Sequence, residues 1–210
     1  VIGTSAAPSA ADVPEFPPMH SSLCCHIRPL ARDDAHCLWE MLYQAIYVPP
    51  GAAPPGREIV RAPELARYVA DWGRPGDMGY LAVDADGMLL GAAWLRCFPA
   101  DQPGYGFVDE ATPELLVAVM PGYRGQGIGT RLLTALLEAA RSRYAAVSLS
   151  VQAENPAVRL YRRLGFEIVA DGGAWLKMCK QLQERLAAWI NDTGDAFTLP
   201  EIQACCARSV

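Results

Sequence analysis

Three glycines alternate in the segment Arg124-Gly125-Gln126-Gly127-Ile128-Gly129, which follows the apolar stretch of residues 115–120 after Pro121-Gly122-Tyr123. A strand, a glycine-rich turn and a helix in that order bring unpaired backbone N–H groups and the positive end of the helix to one point, which suits a diphosphate. Glycine lets a ligand approach the backbone closely, and Arg124 can add charge-assisted hydrogen bonds. The same residues also fit a tight turn that needs glycine for its geometry alone, but three glycines beside an arginine favour the anion site. Two familiar nucleotide loops fail on spacing. The G-K-[ST] ending of a P-loop is missing at Gly127-Ile128. A dinucleotide fingerprint would need glycine where Leu132 stands and an acid near Leu149 or Ser150.

Metal chemistry has no comparable footing. His20, His26 and His36 share no ligand spacing, and the cysteines at 24, 25, 37, 97, 179, 205 and 206 contain no C-x-x-C pair. The thiols read as free, buried side chains in a reducing compartment.

The elements that must position the glycine turn can be traced from residue patterns. Residues 1–22, rich in Ala, Pro and Ser, read as a mobile tail. Residues 23–28 suit a strand, and residues 31–47 suit a helix with Leu38, Met41, Leu42 and Ala45 on one face. Pro49, Pro50, Pro54, Pro55 and Pro63 make residues 48–63 a long loop. A short helix over residues 64–72 precedes strands at 80–83 and 88–98, joined by Ala85-Asp86-Gly87. Residues 114–120 read as a central strand covered on both faces.

After the turn, Ile128, Leu132, Leu133, Leu136, Leu137 and Ala140 recur at helical spacing. A strand follows at 146–151, and then a helix opened by an Asn155 cap with Pro156 at its first position and closed by Gly165. Residues 166–170 and 174–178 form a last hairpin. Beyond it, Leu182, Leu186, Trp189 and Ile190 make an apolar stripe, so residues 181–210 are expected to form a helical extension. That extension either packs on its own subunit or forms a homodimer contact.

The chain has 210 residues, 51% of them hydrophobic and 20% charged, which suits one α/β domain with tails. A net charge of -5 disfavours nucleic acid as a partner. No apolar stretch approaches the ~20 residues of a membrane helix and no leader pattern stands at the start, so a cytoplasmic protein without membrane contact is expected.

Arg124-x-x-Gly127-x-Gly129 resembles the R/Q-x-x-G-x-G/A signature of the GNAT superfamily of N-acetyltransferases. A second block, from Asn155-Pro156 through Leu160-Tyr161 to Gly165-Phe166, resembles that superfamily's downstream helix with its L-Y-x-x-x-G-F ending. The two blocks and the strand order cover roughly residues 23–180. The resemblance implies a mixed, mostly antiparallel central sheet flanked by helices, which splays open after its fourth strand.

By the same resemblance acetyl-CoA is the cosubstrate. Its pantetheine would lie along the backbone of Val117, Ala118 and Val119, with Asn155 nearby. Its pyrophosphate would sit on the amides of Gly125, Gln126, Gly127, Ile128, Gly129 and Thr130, with Arg124 and Gln126 at the edge. Asn155 also suits a plain helix cap.

The implied reaction is acetyl transfer to a primary amine of a small molecule or peptide, by direct attack in a ternary complex. Glu114, at the start of the central strand, matches the position of a catalytic base, and Asp109 and Glu110 are its rivals. Tyr161 matches the tyrosine that protonates the leaving thiolate, although its helical stripe with Ala157, Leu160 and Leu164 equally suits a core tyrosine. Tyr43, Tyr47 and the proline-rich loop would wall the amine pocket. A protein of this fold that binds acyl-CoA without transferring it is the alternative.

Overall fold

A computed structural model of the chain describes residues 25–183. The expected tail at 1–22 and all but the first three residues of the expected extension at 181–210 lie outside the described residues.

A seven-stranded sheet in the order β1-β2-β3-β4-β5-β7-β6 organises the domain. Its strands are β1 (His26–Pro29), β2 (Met78–Val83), β3 (Leu89–Arg96), β4 (Glu114–Val119), β5 (Ala146–Gln152), β6 (Glu167–Asp171) and β7 (Trp175–Gln181). Neighbouring strands run antiparallel except β4 and β5, which are parallel and register at a single pair, Glu114 with Ser148. A parallel pair cannot be closed by a tight turn and needs a crossover. Helix α3 (Ile128–Ala140) supplies it, burying the six apolar residues that the sequence places at helical spacing. β7 runs through Gln181, which pairs with Ala146, and Leu182 is buried, so the sheet continues past residue 180.

Two cores form, one on each face of the sheet. Along β4 the side chains alternate, as a strand requires. Leu115, Val117 and Val119 join the cluster under α3, which also contains Tyr161 and Phe166. Leu116, Ala118 and Met120 join the opposite cluster under α1 (Ala35–Ala45) and α2 (Pro63–Ala66).

Three helices are shorter than their sequence patterns suggest. Ahead of α1 the backbone N–H of Ala31 donates to Asp34 Oδ2 at 2.9 Å, and residues 32–34 make a 3-10 turn instead. At its other end Ile46 is already extended, ahead of the Pro49-Pro50 pair. Beyond Ala66, α2 gives way to 3-10-type bonds from Tyr68 N to Leu65 O and Val69 N to Ala66 O, and the buried Arg96 guanidinium takes the carbonyls of Arg67 at 2.8 Å and Ala70 at 2.7 Å, so the helix does not run on to Trp72. The same guanidinium pairs with Asp77 at 2.6 Å, so the charge is matched and the segment from 67 to 77 wraps around it. α4 (Ala157–Arg163) begins one residue later than expected, but Asn155 still caps it, its Oδ1 accepting from the N–H of Ala157 at 2.9 Å. Gly165, at φ +83°, closes it as expected.

Candidate active site

Because β4 and β5 meet only at Glu114 and Ser148, the backbone of β4 beyond that pair has no partner on the β5 side. A cavity of about 670 Å³ opens along this gap. Glu114 reaches it from the α1 face of the sheet, by the alternation along β4. Tyr161 reaches it from the α3 face. Two residues 47 positions apart in sequence thus line one space.

Glu114 is 2% exposed. Its Oε2 accepts from the Tyr68 hydroxyl at 2.9 Å and from the N–H of Gly106 at 2.8 Å, while its buried Oε1 has no partner. Burial pushes its pKa up, opposed by the Gly106 and Tyr68 hydrogen bonds and by the positive charges of Lys177 and Arg67. A Cβ at Gly104 would overlap the Glu114 carboxylate, so glycine is needed for the loop to close over it. The rivals Asp109 and Glu110 are exposed and hold loops instead. Asp109 accepts from Ala111 N at 2.9 Å and Glu110 from Ala100 N at 2.8 Å.

The raised pKa has a consequence for stability. The native state holds the Glu114 proton to higher pH than the unfolded chain does. Stability is therefore full below the unfolded value and falls as the pH rises through the folded one. Glu114→Gln should raise the Tm at pH 7, and the gain should vanish at about pH 4, where both forms are neutral. Paired thermal melts at the two pH values measure this; an equal gain at both would assign it to packing.

Tyr161 packs edge-on against Phe166, with ring centroids 5.8 Å apart. Burial alone pushes its hydroxyl up to about 12, which keeps it protonated and able to donate at neutral pH.

The glycine turn lies at the end of β4. Gly125 and Gly127 have φ of +77° and +81°, and no atom lies within 4 Å of where a Cβ would stand on either. Gly127 is the left-handed N-cap of α3, no side chain caps that end, and no acid stands in the first turn. The first intrahelical bond there runs from Arg131 N to Gly127 O, leaving the amides of Ile128, Gly129 and Thr130 free to face an anion. The Arg124 guanidinium is committed elsewhere: it donates to Val119 O at 3.0 Å and to Gln44 O at 3.1 Å, tying the turn to the end of α1. Gln126 donates to Gly122 O at 3.2 Å.

Tyr47 lines the cavity, whereas Tyr43 braces its wall by donating to Pro55 O at 2.9 Å. Arg57 pairs with Glu40 and lies over the Tyr43 ring, and Arg61 lies over Trp39. The proline-rich loop is thereby fixed, with Ile59 facing the cavity. Tyr68, Tyr105 and Trp175 also line it and are absent from the sequence expectations. Leu65, Tyr68 and Trp72 read simply as a helix core stripe. The Gly104-Tyr105-Gly106 triplet, an aromatic held between two glycines in a loop, was the available signal for Tyr105.

Residues 39–166 match the acetyltransferase (GNAT) family. The chain is 36% identical over 115 residues to a mycothiol acetyltransferase of Corynebacterium aurimucosum, covering 51% of this chain and 36% of that protein. It is 33% identical over 164 residues to the mycothiol acetyltransferase of Cellulomonas flavigena, covering 61% and 46%. The chain thus spans between about a third and a half of the length of these curated relatives. A phosphinothricin acetyltransferase of Sinorhizobium meliloti, solved in complex with acetyl-CoA, superposes with a TM-score of 0.55 at 21% identity, covering 79% of this chain and 92% of that one. That likeness concerns the fold.

Proposed function

As the chain belongs to the acetyltransferase (GNAT) family, we propose that it moves the acetyl group of acetyl-CoA to a primary amine of a small molecule or peptide, by direct attack in a ternary complex. The observation that carries this reading is the buried Glu114 carboxylate with one partnerless oxygen, sharing the β4–β5 cavity with a protonated Tyr161. The relatives named mycothiol acetyltransferase support a small-molecule acceptor.

The residues present fit acetyl-CoA. The open glycine turn and the free amides at the start of α3 suit its pyrophosphate: Gly125, Gln126, Gly127, Ile128, Gly129 and Thr130. The edge of β4 at Val117, Ala118 and Val119, where no β5 strand pairs and only the Val119 carbonyl is taken, by Arg124, offers backbone groups to the amide-bearing pantetheine arm, and Asn155 lines the same cavity. Arg124 supports the site through Val119 and Gln44.

An alkyl ammonium of pKa ~10.4 must lose a proton before it can attack at pH 7, which costs about 4 to 5 kcal/mol unassisted. Glu114 takes that proton, directly or through one water. Burial has raised its basicity, and Oε1 is the carboxylate oxygen that no protein group engages. The amine nitrogen then bonds to the thioester carbon, the C–S bond breaks, the Tyr161 hydroxyl gives its proton to the departing thiolate, and the second proton lost by the nitrogen as the amide forms restores the tyrosine through solvent.

Glu114→Gln should lower kcat/KM by about a hundredfold at neutral pH, with the deficit shrinking as the pH approaches that of the amine itself. The pH–rate profile checks this. A deficit constant across pH would assign Glu114 to positioning alone.

A further inference from the structure

We infer that the acceptor in this transfer is a monoamine with an apolar, ring-bearing body and no anionic group; the inference rests on the reading proposed above. Among the described residues lining the cavity, Glu114 is the one carboxylate, and no Lys, Arg or His lines it. The cations nearest by are already engaged. Arg57 pairs with Glu40, and Arg61 lies over Trp39 at 3.8 Å. Arg67 donates to Pro103 O at 2.9 Å and Lys177 to Phe107 O at 2.6 Å. An acceptor carboxylate or phosphate would therefore find no cation lining the cavity to bond, beside the Glu114 carboxylate on which the charges of Lys177 and Arg67 already act.

The opposite limit follows from the same lining. One carboxylate can serve one ammonium. The second charge of a polyamine would leave water for the aliphatic wall of Leu42, Ile46, Ile59 and Leu65.

The remaining wall is aromatic. Tyr105 is 59% exposed although its ring stacks on Tyr68, with centroids 6.4 Å apart and planes 11° apart. Trp175, 44% exposed, also lines the cavity, as does Tyr47. Such rings gain by covering a flat apolar body, and their faces attract an ammonium on its way to Glu114.

The test compares phenethylamine, phenylalanine and spermidine as acceptors, with acetyl-CoA as donor and free thiol as the readout. Phenylalanine adds one carboxylate to phenethylamine and has the less basic amine, so ease of deprotonation alone would favour it. The expected result is a kcat/KM for phenethylamine above both others by about tenfold or more, with about a fivefold loss on Tyr105→Ala. Equal or higher values for phenylalanine or spermidine would overturn the inference while leaving acetyl transfer in place. If none of the three releases thiol, calorimetry decides the character of the cavity. Tighter binding of phenethylamine than of phenylalanine, weakened by Tyr105→Ala, supports the inference, and the reverse order overturns it.

Discussion

Gly127→Asp should cost the protein its affinity for acetyl-CoA, by about a hundredfold or more, while leaving it folded. Gly127 stands at φ +81° as the N-cap of α3, with open space where a Cβ would project. Aspartate tolerates the left-handed region better than most residues and is a good helix N-cap, so the added side chain need not unfold the domain. Its carboxylate would instead occupy the positive end of the helix, which the diphosphate needs, and repel it. Gly127→Ala separates the two effects. It carries a backbone strain of about 1 to 2 kcal/mol without the charge and should weaken acetyl-CoA far less. Calorimetric titration of acetyl-CoA into each variant, with a thermal melt to confirm folding, measures this. A folded Gly127→Asp variant with parental affinity would remove the turn from the cofactor site.

Tyr161→Phe should lower turnover by about ten- to a thousandfold and leave acetyl-CoA affinity nearly intact, as expected for the loss of one positioned general acid. The ring contact with Phe166 needs no hydroxyl, so the core under α3 should survive. Burial keeps the hydroxyl protonated throughout the neutral range, so the defect should not change with pH there. That separates it from the Glu114→Gln defect, which shrinks as the pH rises. Single-turnover measurement of thiol release isolates the chemical step. A parental rate in that assay would make the hydroxyl a packing group.

Much of the candidate donor side could be traced in the residues because its signals are local. The glycine turn, the six-residue apolar face of α3 and the Gly165 stop each depend on spacing within about one or two helical turns. The opening of the sheet after β4 came from the family resemblance, and the single Glu114–Ser148 pair agrees with it.

The candidate acceptor side was less legible because it is assembled by long-range contacts. Tyr68 reaches Glu114 across 46 positions, and Lys177 anchors Phe107 across 70. Beyond the end of α2, Arg96, on a distant strand, takes the carbonyls of Arg67 and Ala70, a tertiary contact that no local propensity reveals. The glycine turn and the family signature placed Arg124 at the edge of a diphosphate site, and no local pattern announced its bond to Gln44 O at the end of α1. Spacing could not separate Glu114 from Asp109 and Glu110. Their settings differ in the fold, where Glu114 is buried and the other two side chains are exposed and hold loop amides.

Acetyl transfer itself is measured by incubating the protein with acetyl-CoA and a panel of primary amines while free CoA thiol is followed. Thiol release should saturate with amine, match the acetylated amine formed mole for mole, and fall sharply in Tyr161→Phe and Glu114→Gln. Tight binding of acetyl-CoA with no amine-dependent release across the panel would contradict it, and would make the protein an acyl-CoA-binding module.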